Sequence, residues 1–88
     1  MKYTGDKNME IEYTKQAVKQ ISRFDKSTKK RLKEAIERIP QGDIKRLQGV
    51  TPTTFRLRVG DLRVLFEMTS QKIIIRNILP RGEAYNRL

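Results

Sequence analysis

Arg56, Arg58, Arg63, Arg81 and Tyr85 are the side chains of this sequence best suited to chemistry. A guanidinium is a rigid fork of donors that matches a phosphate and stays charged. Several together hold an RNA backbone and stabilise the extra negative charge of a phosphorane-like transition state. Tyr85 offers a ring that stacks on an unpaired base, or a hydroxyl that serves as acid or base. The chain has no histidine and no cysteine. That excludes Ser-His-Asp, Cys-His and His-metal chemistry, thiolate zinc sites and disulfides. With no acidic cluster either, the nuclease route left is metal-free and without a cofactor: a ribose 2′-hydroxyl attacks the adjacent phosphate.

The bulk charge points the same way. Twenty Lys+Arg stand against ten Asp+Glu in 88 residues, for a net charge of +10. Such a balance implies nucleic acid, an acidic protein partner, or both. A membrane surface fits less well, because no basic helix here also exposes large aromatics. No apolar run approaches the roughly 20 residues of a membrane span, and the N-terminus has no apolar signal-peptide core. A cytoplasmic protein is the default expectation.

The elements that must position these arginines can be read from periodicity. Phe55, Leu57 and Val59 alternate with Arg56 and Arg58, and Leu62, Val64 and Phe66 alternate with Arg63, Leu65 and Glu67. Period-2 alternation means two strands, each with one buried face. Gly60-Asp61 is a two-residue hairpin signal. The register then sets Val59 opposite Leu62 and Arg58 opposite Arg63, with Arg56, Arg58 and Arg63 on one solvated face. Like charges directly opposite are destabilising. A lone arginine there would be ordinary surface, but three with no interleaved acid imply an anionic ligand.

Around this hairpin the chain reads as one small domain over residues 9–88, preceded by a flexible polar extension, residues 1–8. Met9 to Tyr13 alternate as a first strand. Thr14 caps a helix whose apolar residues are Ala17, Val18, Ile21 and Phe24. Asp25 and Ser27 mark a break and a second cap. Leu32, Ala35, Ile36 and Ile39 then follow the amphipathic template, which Pro40 and Gly42 end. Gln41 to Thr54 reads as a connection that Ile44 and Leu47 pin to the core. Ser70-Gln71 is a second turn, Lys72 to Leu79 an interior strand, and Arg81 to Leu88 a basic tail. Phe55, Phe66 and Tyr13 read as core, and Lys29, Lys30, Arg31 and Lys33 as a solvated helix face. The fold class is α+β, with an N-terminal strand and a two-helix hairpin packed on a small antiparallel sheet.

On these residues the chain resembles toxins of the RelE/ParE superfamily from bacterial or archaeal toxin–antitoxin pairs. The likeness runs from Glu10-Ile11-Glu12-Tyr13-Thr14 through Lys45-Arg46-Leu47-Gln48-Gly49. It continues along the Phe55-to-Phe66 hairpin to Arg81-Gly82-Glu83-Ala84-Tyr85. It implies a RelE-like domain and, in the RelE branch, an endoribonuclease that enters the ribosomal A site and cleaves mRNA there. Arg56 and Arg58 match the family's basic positions on the hairpin's first strand. Arg63 matches its central catalytic arginine, Arg81 its C-terminal arginine, often assigned as general acid, and Tyr85 its tyrosine. Lys45 and Arg46 are expected to join Arg56 and Arg58 in binding RNA. Some members carry lysine, a proposed general base, where this chain has Arg58. Arginine does not readily give up its proton, so the base passes to Tyr85.

The resemblance also implies partners: a cognate acidic antitoxin in a hetero-oligomeric complex, and the ribosome with its mRNA. Two other readings stand beside this one. The same basic surface could serve a non-enzymatic inhibitor of DNA gyrase, as in the ParE branch, or a small nucleic-acid-binding module. Pure binding needs charge but no acid/base residue at a fixed place, which favours the nuclease.

Overall fold

Thr14 ends one element and begins the next. Its hydroxyl oxygen accepts from the Ala17 N–H at 3.1 Å, capping the first helix, while its hydroxyl donates to the Arg76 carbonyl at 3.1 Å. One short side chain therefore fixes both the helix start and its seat on the sheet. The computed structural model describes residues 10–80. The expected extension, residues 1–8, and the tail with Arg81 and Tyr85 lie outside them.

The order is β1 (Glu10–Tyr13), α1 (Lys15–Ser22), α2 (Lys26–Glu37), β2 (Ile44–Arg46), β3 (Phe55–Val59), β4 (Leu62–Met68) and β5 (Lys72–Pro80). The strands form one sheet in the order β1-β5-β4-β3-β2. It is antiparallel from β2 to β5, as expected, and β1 adds to β5 in parallel. Parallel neighbours need a long crossover, and everything from α1 to β4 lies between these two. Among the described residues no helix is long and apolar enough to cross a membrane.

The core lies between the helices and one sheet face. Ala17, Leu32, Ile36 and Ile39 from the helical side meet Leu57, Val64, Phe66, Ile73, Ile75 and Ile78. Ile75 and Ile78 are an odd number of positions apart, yet both point inward. A bulge explains this: Leu65 pairs with Asn77 and Phe66 with Ile75, leaving Arg76 unpaired. The extra residue shifts the phase of β5 by one. Arg76 turns instead to Glu67, 3.3 Å away. Beyond Ile75 no strand among the described residues pairs with the outer edge of β5, because β1 stops at Tyr13. Helix α1 fills the gap, and Gln20 Oε1 accepts from the Ile78 N–H at 2.6 Å.

The β3–β4 hairpin has the register its turn demanded, with Val59 opposite Leu62 and Arg58 opposite Arg63. Gly60 has φ +59, and the Arg31 guanidinium of α2 would lie 2.9 Å from any added Cβ. The backbone conformation favours glycine there, and the flexible Arg31 side chain lies close over it. Arg31 thus rests on the hairpin turn rather than belonging wholly to a solvated helix face.

Three expectations need correction. The stretch after α2 contains a strand, β2, too short to show alternation. Tyr13 and Val18 are exposed, lining an apolar hollow of about 360 Å³ between the helices with Ile21, Leu32 and Ile36 as floor and Lys29 and Lys33 on its rim. Partial burial in that hollow, with the Glu37 charge adding to it, raises the Tyr13 phenol above its ordinary pKa. The second sheet face is not simply solvated. The β2–β3 loop folds over it, packing Leu47 and Val50 on Leu65 and Leu79.

Candidate anion-binding site

The outer face of β2, β3 and β4 carries the candidate site. Lys45 on β2 lies opposite Arg56 on β3, which lies opposite Leu65 on β4. One step along, Arg58 faces Arg63 across the hairpin. The structure therefore brings Lys45, Arg56, Arg58 and Arg63 together. Arg46 does not join them. It pairs with Phe55, one residue out of phase, and so falls on the opposite face.

The arginines differ sharply in environment. Arg58 keeps 51% of its side chain exposed. Arg56 and Arg63, expected on a solvated face, are only 5% and 4% exposed. Alternation tells which way a side chain points and not what covers that face, and here the β2–β3 loop and a central strand position intervene. Burial has not satisfied these groups. Among the described residues Arg56 Nε and Nη1 and Arg63 Nε have no hydrogen-bond partner, and Arg63 Nη1 donates a long 3.4 Å bond to the Leu62 carbonyl. Buried charged donors without partners cost free energy. An anion that reached these donors would supply the missing acceptors.

One acid sits among them, contrary to expectation. The Asp43 carboxylate lies 3.8 Å from Arg56 Nη2 and 3.5 Å from Arg58 Nε. Its carbonyl accepts from the Arg58 N–H at 3.0 Å, which continues the β2–β3 ladder by one residue. The signal missed in the sequence was Asp43 directly preceding Ile44: once Ile44 pairs with Leu57, Asp43 must flank Arg58. Among the described residues no three acidic side chains gather to hold a metal.

The cost of Arg56 is measurable. Replacing a buried ion pair by apolar side chains of similar size is often neutral or stabilising by about 1–4 kcal/mol, and the partner that Arg56 would leave behind, Asp43, stays 56% exposed and 3.5 Å from Arg58 Nε. Arg56→Met should therefore raise the thermal midpoint by about 4 °C or more, at roughly 4–8 °C per kcal/mol for a domain this small. A lowered midpoint in differential scanning calorimetry would show that the guanidinium is well satisfied in solution.

The archaeal RelE–RelB complex of Pyrococcus horikoshii matches with a TM-score of 0.69 and 26% identity, over 85% of this chain and 97% of that one. The RelB–RelE antitoxin–toxin complex of Methanococcus jannaschii matches with a TM-score of 0.70 and 27% identity, over 88% of this chain and 98% of that one. Among curated proteins no sequence matches. The family model of the ParE toxin of the type II toxin–antitoxin system parDE matches residues 11–85, which span both helices, the arginine hairpin and all of the sheet but Glu10. The chain belongs to that family and is a type II toxin of the RelE/ParE superfamily.

Proposed function

We propose that this toxin is a ribosome-dependent endoribonuclease that cleaves mRNA in the A site and so blocks translation. The observation that carries the reading is the pair of buried arginines with unpartnered donors beside the half-exposed Arg58. A face that only repelled or solvated would not keep such groups under cover. Arg56 and Lys45 bind the RNA backbone. Arg58 and Arg63 neutralise the charge that grows on the phosphate as the 2′-oxygen attacks. Arg81 and Tyr85 are expected to complete the site from the tail.

The experiment is translation of a defined mRNA in a cell extract, with cleavage mapped by primer extension. Discrete cuts that require ribosomes support the reading, and intact mRNA overturns it. A second reading, inhibition of DNA gyrase, is favoured by the ParE description of the matching family. Intact mRNA together with inhibited supercoiling would establish it instead.

The matching archaeal toxins are seen in complex with RelB, and we infer a cognate acidic antitoxin here. It would cover the basic sheet face and lay apolar residues in the hollow between α1 and α2, its acidic groups meeting Lys29 and Lys33. Opposite charge acts chiefly on the association rate. The on-rate for the antitoxin, by stopped flow, should therefore fall as salt rises, and a salt-independent on-rate would count against recruitment by charge.

A further inference from the structure

We propose that Asp43 is a catalytic residue of this site, the general base that takes the proton from the attacking 2′-hydroxyl. The inference rests on the endoribonuclease reading above. A cluster of guanidinium groups lacks what the reaction needs at that point. Arginine has no acceptor and keeps its proton, an ammonium such as that of Lys45 has no lone pair, and the chain has no histidine, which leaves a carboxylate or the hydroxyl of Tyr85, the base that the resemblance implies and that lies outside the described residues. Asp43 is the carboxylate that touches the arginines, at 3.5 Å from Arg58 Nε and 3.8 Å from Arg56 Nη2. Among the described residues the other acid on this face, Glu67, is engaged with Arg76 at 3.3 Å.

The position of Asp43 is built rather than incidental. Its carbonyl is held by the Arg58 N–H at 3.0 Å. Gly42 before it has φ +125, and a Cβ there would come within 3.0 Å of Leu57 Cδ1. The turn therefore sets Asp43 against the hairpin while 56% of its side chain stays open to solvent. A carboxylate in this place repels phosphate, so a face meant only to bind RNA would hold it better without one.

The step balances. The Asp43 carboxylate takes the 2′-hydroxyl proton, and the 2′-oxygen forms a bond to the adjacent phosphorus. The bond from phosphorus to the 5′-oxygen breaks, leaving a 2′,3′-cyclic phosphate. The departing 5′-oxygen takes a proton from water, and Asp43 returns its own to solvent. The arginines hold the non-bridging oxygens throughout.

Asp43→Asn separates a base from a counter-ion, because the amide oxygen still accepts from the guanidinium groups but takes no proton. Single-turnover cleavage on programmed ribosomes should fall by about 10²–10⁴, the range for a lost acid/base group. Affinity for a short single-stranded RNA should stay the same or tighten. Asp43→Glu keeps a carboxylate on a longer arm and should cleave at least about tenfold faster than the Asn variant. Equal loss in the two, both folded by circular dichroism, overturns the assignment. So does an Asn variant within about threefold of the parent, or a Tyr85→Phe loss of about 10² beside an active Asn variant. A parent that cuts no mRNA overturns the endoribonuclease reading as well, and is distinguished because it fails before any substitution is made.

Discussion

Arg63→Ala should lower single-turnover mRNA cleavage by about 10²–10³, the usual loss for one preorganised group aimed at developing charge, and leave the fold standing. Arg63 sits on β4, the central strand, with its neighbours on β3 and β5 fixed by register. It is preorganised in the strict sense: buried, with little freedom to reorient, and with Nε unspent. Burial would ordinarily warn that alanine is destabilising. Here two effects oppose that. The substitution removes an unsatisfied charged donor, and it removes a like charge opposite Arg58. Against them stands the lost packing of the aliphatic stem. The net change in stability should lie within about 1 kcal/mol. Cleavage and thermal unfolding measured on the same preparation decide it. A midpoint lower by about 10 °C or more, at roughly 4–8 °C per kcal/mol, would make Arg63 a structural residue.

The hairpin around Arg63 was legible because every local rule agreed on it. Alternation chose the faces, and Gly60-Asp61 chose the loop length and hence the pairing of Arg58 with Arg63. The covering of that face was not legible, because it comes from elsewhere in the chain. Leu47 and Val50 reach Leu65 and Leu79 only after the β2–β3 loop has folded back, and nothing in a period-2 pattern reports such a return. Strand β2 escaped for a related reason: over Ile44–Arg46 there is one full alternation and no more. With β2 unseen, Asp43 had no address. The same gap placed Arg46 with the RNA-binding group, although pairing with Phe55 sends it to the other face. Val18 failed differently. It satisfies helical spacing beside Ala17, but α1 is tethered through Thr14 and Gln20 to β5, and that tether sets which stripe faces the sheet.

Phe66→Ala should remove most of the stability of the domain. Phe66 is fully buried at the centre of the core, and its ring stacks on Phe55 with centroids 5.5 Å apart and planes at 22°. Truncating a buried phenylalanine costs about 3–5 kcal/mol in lost transfer energy and residual cavity. A chain of this length is stable by about 4–13 kcal/mol in all, so the loss can approach the total. The site itself would go with it. Phe66 faces inward on the same strand that presents Leu65 and Arg63 outward, and its partners Phe55 and Ile75 lock β3 and β5 to that strand. Urea unfolding followed by far-ultraviolet circular dichroism measures the effect. With a slope of about 1–3 kcal/mol per molar urea for small proteins, the midpoint should drop by about 1 M or more, or the protein should be partly unfolded without denaturant. Val18→Ala supplies the contrast, because that side chain is exposed outside the core, and its stability should match the parent's within about 0.5 kcal/mol. A Phe66→Ala stability as close as that would mean the core closes around the gap, and the pairing of β3, β4 and β5 would then owe less to this ring than its burial implies.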